Sequence, residues 1–325
     1  MASTRQDLQL TVGARRFGLA HDPGTSVTAC FRYALVSTPR AVLEERLATS
    51  GDAGTREIDG SPSAEGSDGR LAIEDLVVRF DGLTALDQVS LDARSGQVVG
   101  VIGPNGAGKT TLFNAICGFV RPDAGAIRWR DQSLSRVRPH QLARLGIART
   151  LQGVRLFPHL TVLENVMVGA GPLHPPRVAS ALVGLPRTDR NERALRERAH
   201  GALETLGVAG AAERQAATLP FPVQKRVGLA RALVAQPTLL LLDEPAGGLG
   251  ADDVGDLAEF VRRLGQSMTV MLVEHRMDLV MSVCDHVVVL DSGRVVATGP
   301  PDRVQSDPRV LEAYLGFEDE GGEDA

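Results

Sequence analysis

A run of nine residues, Gly103-Pro-Asn-Gly-Ala-Gly-Lys-Thr-Thr111, limits what this chain can fold into more than any other part of it. Its glycines let successive backbone N–H groups turn inward, a geometry that cradles phosphate oxygens. Such a loop needs a strand to enter from and a helix to leave by, and the helix N-terminus adds positive potential. Both neighbours are present: Gln97-Val-Val-Gly-Val-Ile102 reads as a buried strand and Lys109 to Gly118 as a helix. Lys109 is placed to reach the β- and γ-phosphates of a nucleotide, and the Thr110 hydroxyl to ligate Mg²⁺. Of 35 basic residues only Lys109 and Lys225 are lysines, so one of the two lies inside this loop.

Further along, Leu239-Leu-Leu-Leu-Asp243-Glu244 is an apolar strand ending in two carboxylates. One acid at a strand tip can hold Mg²⁺ through water, and the next can polarise an attacking water as general base. Alone, such a pair is more often a solvated strand end. Downstream of a complete phosphate loop it assigns Asp243 to the metal and Glu244 to the base. His275 follows the apolar segment Thr269–Val273, where a neutral imidazole can contact the γ-phosphate or hold the water. Gln152, after Gly146-Ile-Ala-Arg-Thr-Leu, is placed to reach both Mg²⁺ and the water. Neither residue carries weight without the other motifs.

The remaining pattern is that of an α/β protein. Leu71–Phe80 and Val89–Ala93 alternate as strands, while Thr238–Leu242, Thr269–Val273 and His286–Leu290 are short, apolar and unbroken. Buried strands alternating with helices predict a mostly parallel sheet. Asp291-Ser-Gly-Arg294 predicts a hairpin into Val295–Thr298 and hence an antiparallel edge. Asp189–Leu206 is Arg- and Ala-rich and helical, behind a loop marked by Pro172, Pro175, Pro176 and Pro186. The expected fold is a P-loop NTPase core with an antiparallel β subdomain and a helical subdomain inserted over residues 153–232, the whole spanning 70–317.

A net charge of −5 offers no basic surface for nucleic acid. The longest apolar runs fall far below the ~20 residues of a membrane-spanning helix, and no apolar stretch near Met1 reads as a secretion signal. Cys30, Cys117 and Cys284 are odd in number and far apart, which argues against a disulfide framework or a zinc ribbon and fits a reducing cytosol. Residues 1–69 lack sustained periodicity, and Ser50–Gly69 is rich in Gly, Ser and acid, so they read as a flexible extension and linker. Arg15 and Arg16 hint at a transit peptide, against which stand Asp7, Asp22, Glu44 and Glu45. Residues 318–325 form an acidic tail.

Taken in order, Gly103–Thr111, Gln152, Leu239–Pro245 and His275 resemble the nucleotide-binding subunit of an ATP-binding-cassette (ABC) transporter, over about Leu71 to Gly316. Finer matches resemble the branched-chain amino-acid importer group, of LivG type. They are Arg149–Asn165, Glu274-His275 with Met277–Met281, and the closing Asp307–Gly316. The resemblance implies ATP and Mg²⁺ as ligands. Contacts to the nucleotide come from Phe80, stacked on adenine, and from Gly103, Pro104, Asn105, Gly106, Ala107, Gly108, Lys109, Thr110 and Thr111. Mg²⁺ goes to Thr110, Gln152 and Asp243, and catalysis to Glu244, His275, Lys109 and Gln152. It implies a second ABC ATPase subunit, with each ATP sandwiched between one chain's loop and the other's signature. Separate membrane permease subunits and, indirectly, a substrate-binding protein complete the assembly, with the cassette peripheral on the cytoplasmic face of the membrane.

Departures from the family pattern sharpen these expectations. Leu219-Pro-Phe-Pro-Val-Gln224 stands where the family signature is Leu-Ser-Gly-Gly-Gln, relaxed in this group to Leu-Pro-Tyr-Gly-Gln-Gln. Pro220 has no hydroxyl, and Pro222 lacks the N–H a glycine would offer. Arg276 replaces the Asp of the family's Glu-His-Asp switch, and Gly250-Ala251 replace Asn-Pro. An intact loop beside an altered signature predicts a heterodimer with one fast and one slow ATP site. Two other readings stay open: the same ATPase serving another cargo (urea, amides or lipid), and a non-transport ATP-binding scaffold.

Overall fold

A computed structural model describes residues 69–150, 152–170 and 186–315. The expected extension before residue 69, the loop prolines Pro172, Pro175 and Pro176, and the tail 318–325 lie outside the described residues. Strands β1 (Leu71–Phe80), β2 (Leu83–Ala93) and β3 (Val98–Ile102) lead to helix α1 (Lys109–Ile116). Strands β4 (Ala124–Trp129), β5 (Gln132–Ser133) and β6 (Ile147–Arg149) follow. Then come helices α2 (Val162–Val168), α3 (Pro186–Thr205) and α4 (Phe221–Leu233). The chain continues through β7 (Leu239–Asp243), α5 (Ala251–Gly265), β8 (Thr269–Val273), α6 (Met277–Val283), β9 (His286–Asp291) and β10 (Arg294–Gly299). Two short helices, α7 (Pro301–Gln305) and α8 (Pro308–Leu315), close the described fold.

Two sheets result. One has the order β2-β1-β4-β5 and is antiparallel; the other has the order β10-β9-β3-β8-β7-β6, parallel except for the β9–β10 hairpin. Every residue of β3, β7 and β8 is buried, as unbroken apolar runs require when both faces of a sheet are covered. Alternation then divides the core. Val99, Val101, Leu239, Leu241, Met271 and Val273 face the antiparallel sheet and α1, joining Ile73, Phe113 and Trp129. Val98, Ile102, Leu240, Leu242, Val270 and Leu272 face the other way, onto Val162, Leu203, Leu229, Leu257 and Val280 of the helices. The molecule is therefore layered, antiparallel sheet over parallel sheet over helices, with the helices of 162–233 sharing one core with the central sheet.

Element ends differ from the sequence expectation for identifiable reasons. Helix α1 stops at Ile116, because Gly118 turns left-handed at φ 70°. Pro186 opens α3 instead of marking the loop before it, since proline's fixed φ suits a first helical position. The β9–β10 turn is only Ser292-Gly293, at φ 46° and 78°; two positive φ values match a two-residue loop to strand twist. No helix among the described residues is long and apolar enough to cross a membrane.

Candidate active site

Strand β3 runs directly into the glycine loop, which is wedged between two strands. Gly103 has φ 148°, and a Cβ there would run into the carbonyl oxygen of Leu290 in β9. Gly108 has φ 101° and caps α1; a Cβ there would lie 2.6 Å from the Ala85 carbonyl and 2.7 Å from Leu86 in β2. Only glycine fits either place, so the sequence pattern has a steric cause. Ala107 is buried under the loop, while Asn105, Gly106 and Thr110 are exposed and Pro104 and Thr111 half-buried. Lys109 folds back, its ammonium donating to the carbonyls of Gly103 and Pro104 at 2.7 Å each. Burial lowers this ammonium from the ordinary lysine range, and the Glu244 carboxylate opposes that shift. Phe80, exposed at the end of β1, pairs across the ribbon with Leu83, two residues before Ala85.

The acidic strand tip lies on the adjacent side. Strands β7 and β8 pair Asp243 with Val273, and the Glu244 N–H donates to the Val273 carbonyl at 2.9 Å. Gln152 Nε2 donates to Glu244 Oε2 at 3.1 Å, so two of the sequence-predicted residues meet directly. Asp243, 2% exposed at its side chain, accepts from Arg149 Nη2 at 2.6 Å through Oδ2. Its N–H donates to the Thr150 hydroxyl at 3.1 Å. His275 projects from the end of β8 with its side chain 60% exposed, its Nδ1 3.8 Å from Glu274 Oε2. Arg276 turns its guanidinium onto Asp278, away from this cluster.

Three residues given no role from sequence organise the site. Glu274 is fully buried and accepts from the Ala246 N–H at 2.7 Å, the His275 N–H at 3.1 Å and the Arg276 N–H at 3.3 Å. It thereby stitches the segment after Glu244 to the segment bearing His275. Arg149 spans Asp243 and, through Nη1 at 2.7 Å, Asn114 of α1. Asn165 is buried in α2; it accepts from the Phe157 N–H at 2.8 Å and donates to the Phe157 and Thr161 carbonyls at 3.1 and 2.9 Å, pinning the loop beyond Gln152. Asn165 and Arg149 stood in quoted motifs, but their partners could not be read there. Cys117, near Arg149, is pushed up to about 11 by burial and remains a thiol at neutral pH, an apolar filler and no nucleophile.

The altered signature itself forms the first turn of α4. The helix starts at Phe221, inside the signature segment Leu219–Gln224, with Pro220 as cap and Pro222 in the first turn. Phe221 is exposed and leans on Gly248, where a Cβ would lie 2.8 Å from its ring.

The comparisons with known proteins agree with this geometry. Residues 86–247 match the family model described as ABC transporter, and residues 294–316 that of the branched-chain amino acid ATP-binding cassette transporter. The chain is 40% identical over 248 residues to the high-affinity branched-chain amino acid transport ATP-binding protein LivG of Salmonella typhimurium, covering 76% of this chain and 97% of that one. It has the same identity and coverage with the BraF protein of Pseudomonas aeruginosa, described in the same terms. Its fold is similar to a crystal structure of the ADP conformation of an ATP-binding cassette of an ABC transporter, with a TM-score of 0.67, 33% identity, and coverage of 76% of this chain and 98% of that one. A glycine cradle that only glycine can build, a carboxylate tip in contact with Gln152, and relatives matched over nearly their whole length lead to one conclusion: the chain belongs to the ABC transporter family, among its ATP-binding subunits.

Proposed function

We propose that this chain hydrolyses ATP to power import of branched-chain or related amino acids through a separate membrane permease, working from the cytoplasmic face as one half of a heterodimer of cassettes. The observation that carries the reading is the Gln152–Glu244 contact at 3.1 Å beside a complete phosphate loop. The cargo class rests on the match at residues 294–316 and on what the relatives are named for.

The chemistry follows from the residues. ATP phosphates lie in the cradle of Gly103–Thr111, and Lys109, already held at its mouth, exchanges two carbonyl acceptors for charged phosphate oxygens. The Thr110 hydroxyl, the Asp243 carboxylate and the Gln152 side-chain oxygen are hard donors of the kind Mg²⁺ takes alongside phosphates, so by their chemistry these residues would hold that ion. Bound there, Mg²⁺ neutralises charge on the phosphate oxygens. Glu244 removes a proton from the attacking water while Gln152 orients its carboxylate, and His275 reaches toward the γ-phosphate from the end of β8. Phe80 stacks on the adenine. Pro222, with no N–H, weakens this chain's signature toward a partner's ATP, which supports the asymmetric pair.

Vesicles carrying the permease and both cassettes test this. Labelled leucine accumulates with ATP inside, and Glu244→Gln slows turnover by roughly 10²–10⁴-fold while ATP still binds. Uptake of urea or an amide in preference to leucine would replace the cargo and leave the ATPase reading standing.

A further inference from the structure

Glu244 carries a backbone oddity that its assignment as general base does not explain. Its φ is 47°, the left-handed region, which a residue with a Cβ occupies only when its surroundings hold it there. Two of the restraints are local: its N–H donates to the Val273 carbonyl at the end of β8, and the Gly247 N–H in the following turn donates to the Glu244 carbonyl at 3.3 Å. The third comes from elsewhere in the fold. Lys225 of α4, one of the chain's two lysines, places Nζ 3.1 Å from the Glu244 carbonyl and 3.1 Å from the Pro245 carbonyl. No neutral donor of similar length supplies bonds of that strength to two adjacent carbonyls. The ammonium also stands 5.6 Å from the centre of the Phe221 ring, so its remaining face is covered by the first residue of its own helix. Burial lowers its pKa from the ordinary lysine value, and the nearby Glu274 and Glu244 carboxylates oppose that shift, favouring the charged form the clamp needs.

We propose that Lys225 is a positioning residue for catalysis: by clamping the Glu244 and Pro245 carbonyls it holds the main chain of Glu244 in the conformation from which its carboxylate meets Gln152. This rests on the reading of Glu244 as base. The same clamp ties the start of α4, which bears the signature, to the base of the same chain. A signature displaced by a partner's ATP therefore pulls on this chain's own catalytic carboxylate. Arg231, further along α4, makes the comparable reach to the carbonyls of Arg155 and Val154, at 2.9 and 3.3 Å, on the far side of Gln152.

The test is steady-state ATPase kinetics of the full chain assembled with its transport partners, with melting temperature measured on the same samples. Lys225→Met keeps the apolar stem and removes the donors. Its kcat should fall about tenfold, with KM for ATP within about twofold of the parent and melting unchanged. Lys225→Arg, which keeps charge and donors, should recover most of the rate. A Lys225→Met protein with parental kcat overturns the proposal. So does a loss in which KM and melting temperature deteriorate together and arginine does not rescue, since that is only a helix staple. Glu244→Gln, run alongside, separates the premises: parental turnover there removes the base reading itself, whatever Lys225 does.

Discussion

Arg149 divides one guanidinium between the helix that follows the phosphate loop and the tip of the acidic strand, and lies 5.5 Å over the ring of Phe113. Its Nε is buried without a hydrogen-bond partner, so the side chain gives up solvation to hold this place. Arg149→Met would leave the Asp243 carboxylate buried and uncompensated, which costs about 3–5 kcal/mol when one partner of such a pair is removed. The melting temperature should drop on the order of 10 °C in a chain of this size; a drop under a couple of degrees would mean water takes over the role of the guanidinium. The positions of Lys109, Asp243 and Glu244 are legible locally, one within a glycine loop and two at the end of an unbroken apolar strand. That of Arg149 is not, because its partners lie 35 and 94 positions away. The same holds for Glu274, whose buried carboxylate joins segments 28 positions apart.

Helix α4 shows the same limit one level up. Pro220 and Pro222 are read from sequence only for the hydroxyl and N–H they lack, yet Pro222 lies inside the first turn of the helix. There a missing N–H costs nothing within the helix, and the fixed φ favours it. The feature that stabilises the element is thus the one that takes a donor from its exposed end. Pro222→Gly with Val223→Gln should raise the ATPase rate of the isolated chain several-fold while lowering stability by about 1 kcal/mol through the freer unfolded state. Equal turnover of parent and variant would show that neighbouring groups already compensate, and the asymmetric dimer would lose its support. The hairpin of β9 and β10 was the opposite case: Ser292-Gly293 specifies its own geometry within two residues, and nothing distant competes.

At the scale of the whole molecule, the stretch Gly153 to Val166 is expected to form the docking surface for the permease, because it follows Gln152 directly. Phe157 and Pro158 are exposed there, while Leu156 packs partly against the helical core and Asn165 fixes the backbone beneath them. A photo-cross-linker at Arg155, exposed and next to Phe157, should label the membrane subunit; labelling confined to the cassettes would place the docking face elsewhere. The α/β class was legible because three strands are buried on both faces and announce it as apolar runs, whereas their spatial order is set by pairings no local pattern records. That order has a consequence for how the protein is made. Strand β3 lies between β8 and β9, and the Val98 N–H is met by Asp285, 187 positions further on. A ribosome adding 5–20 residues per second needs roughly 10–40 s to cover that distance. One face of the nascent β3 meets the antiparallel sheet and α1 early, but both of its edges stay unpaired until β8 emerges, and the second until β9 follows, so the strand is an open pairing template that chaperones can cover. The glycine cradle, braced on the carbonyl of Leu290, has no second wall until β9 has emerged. Affinity for nucleotide is therefore among the last properties the newborn chain acquires.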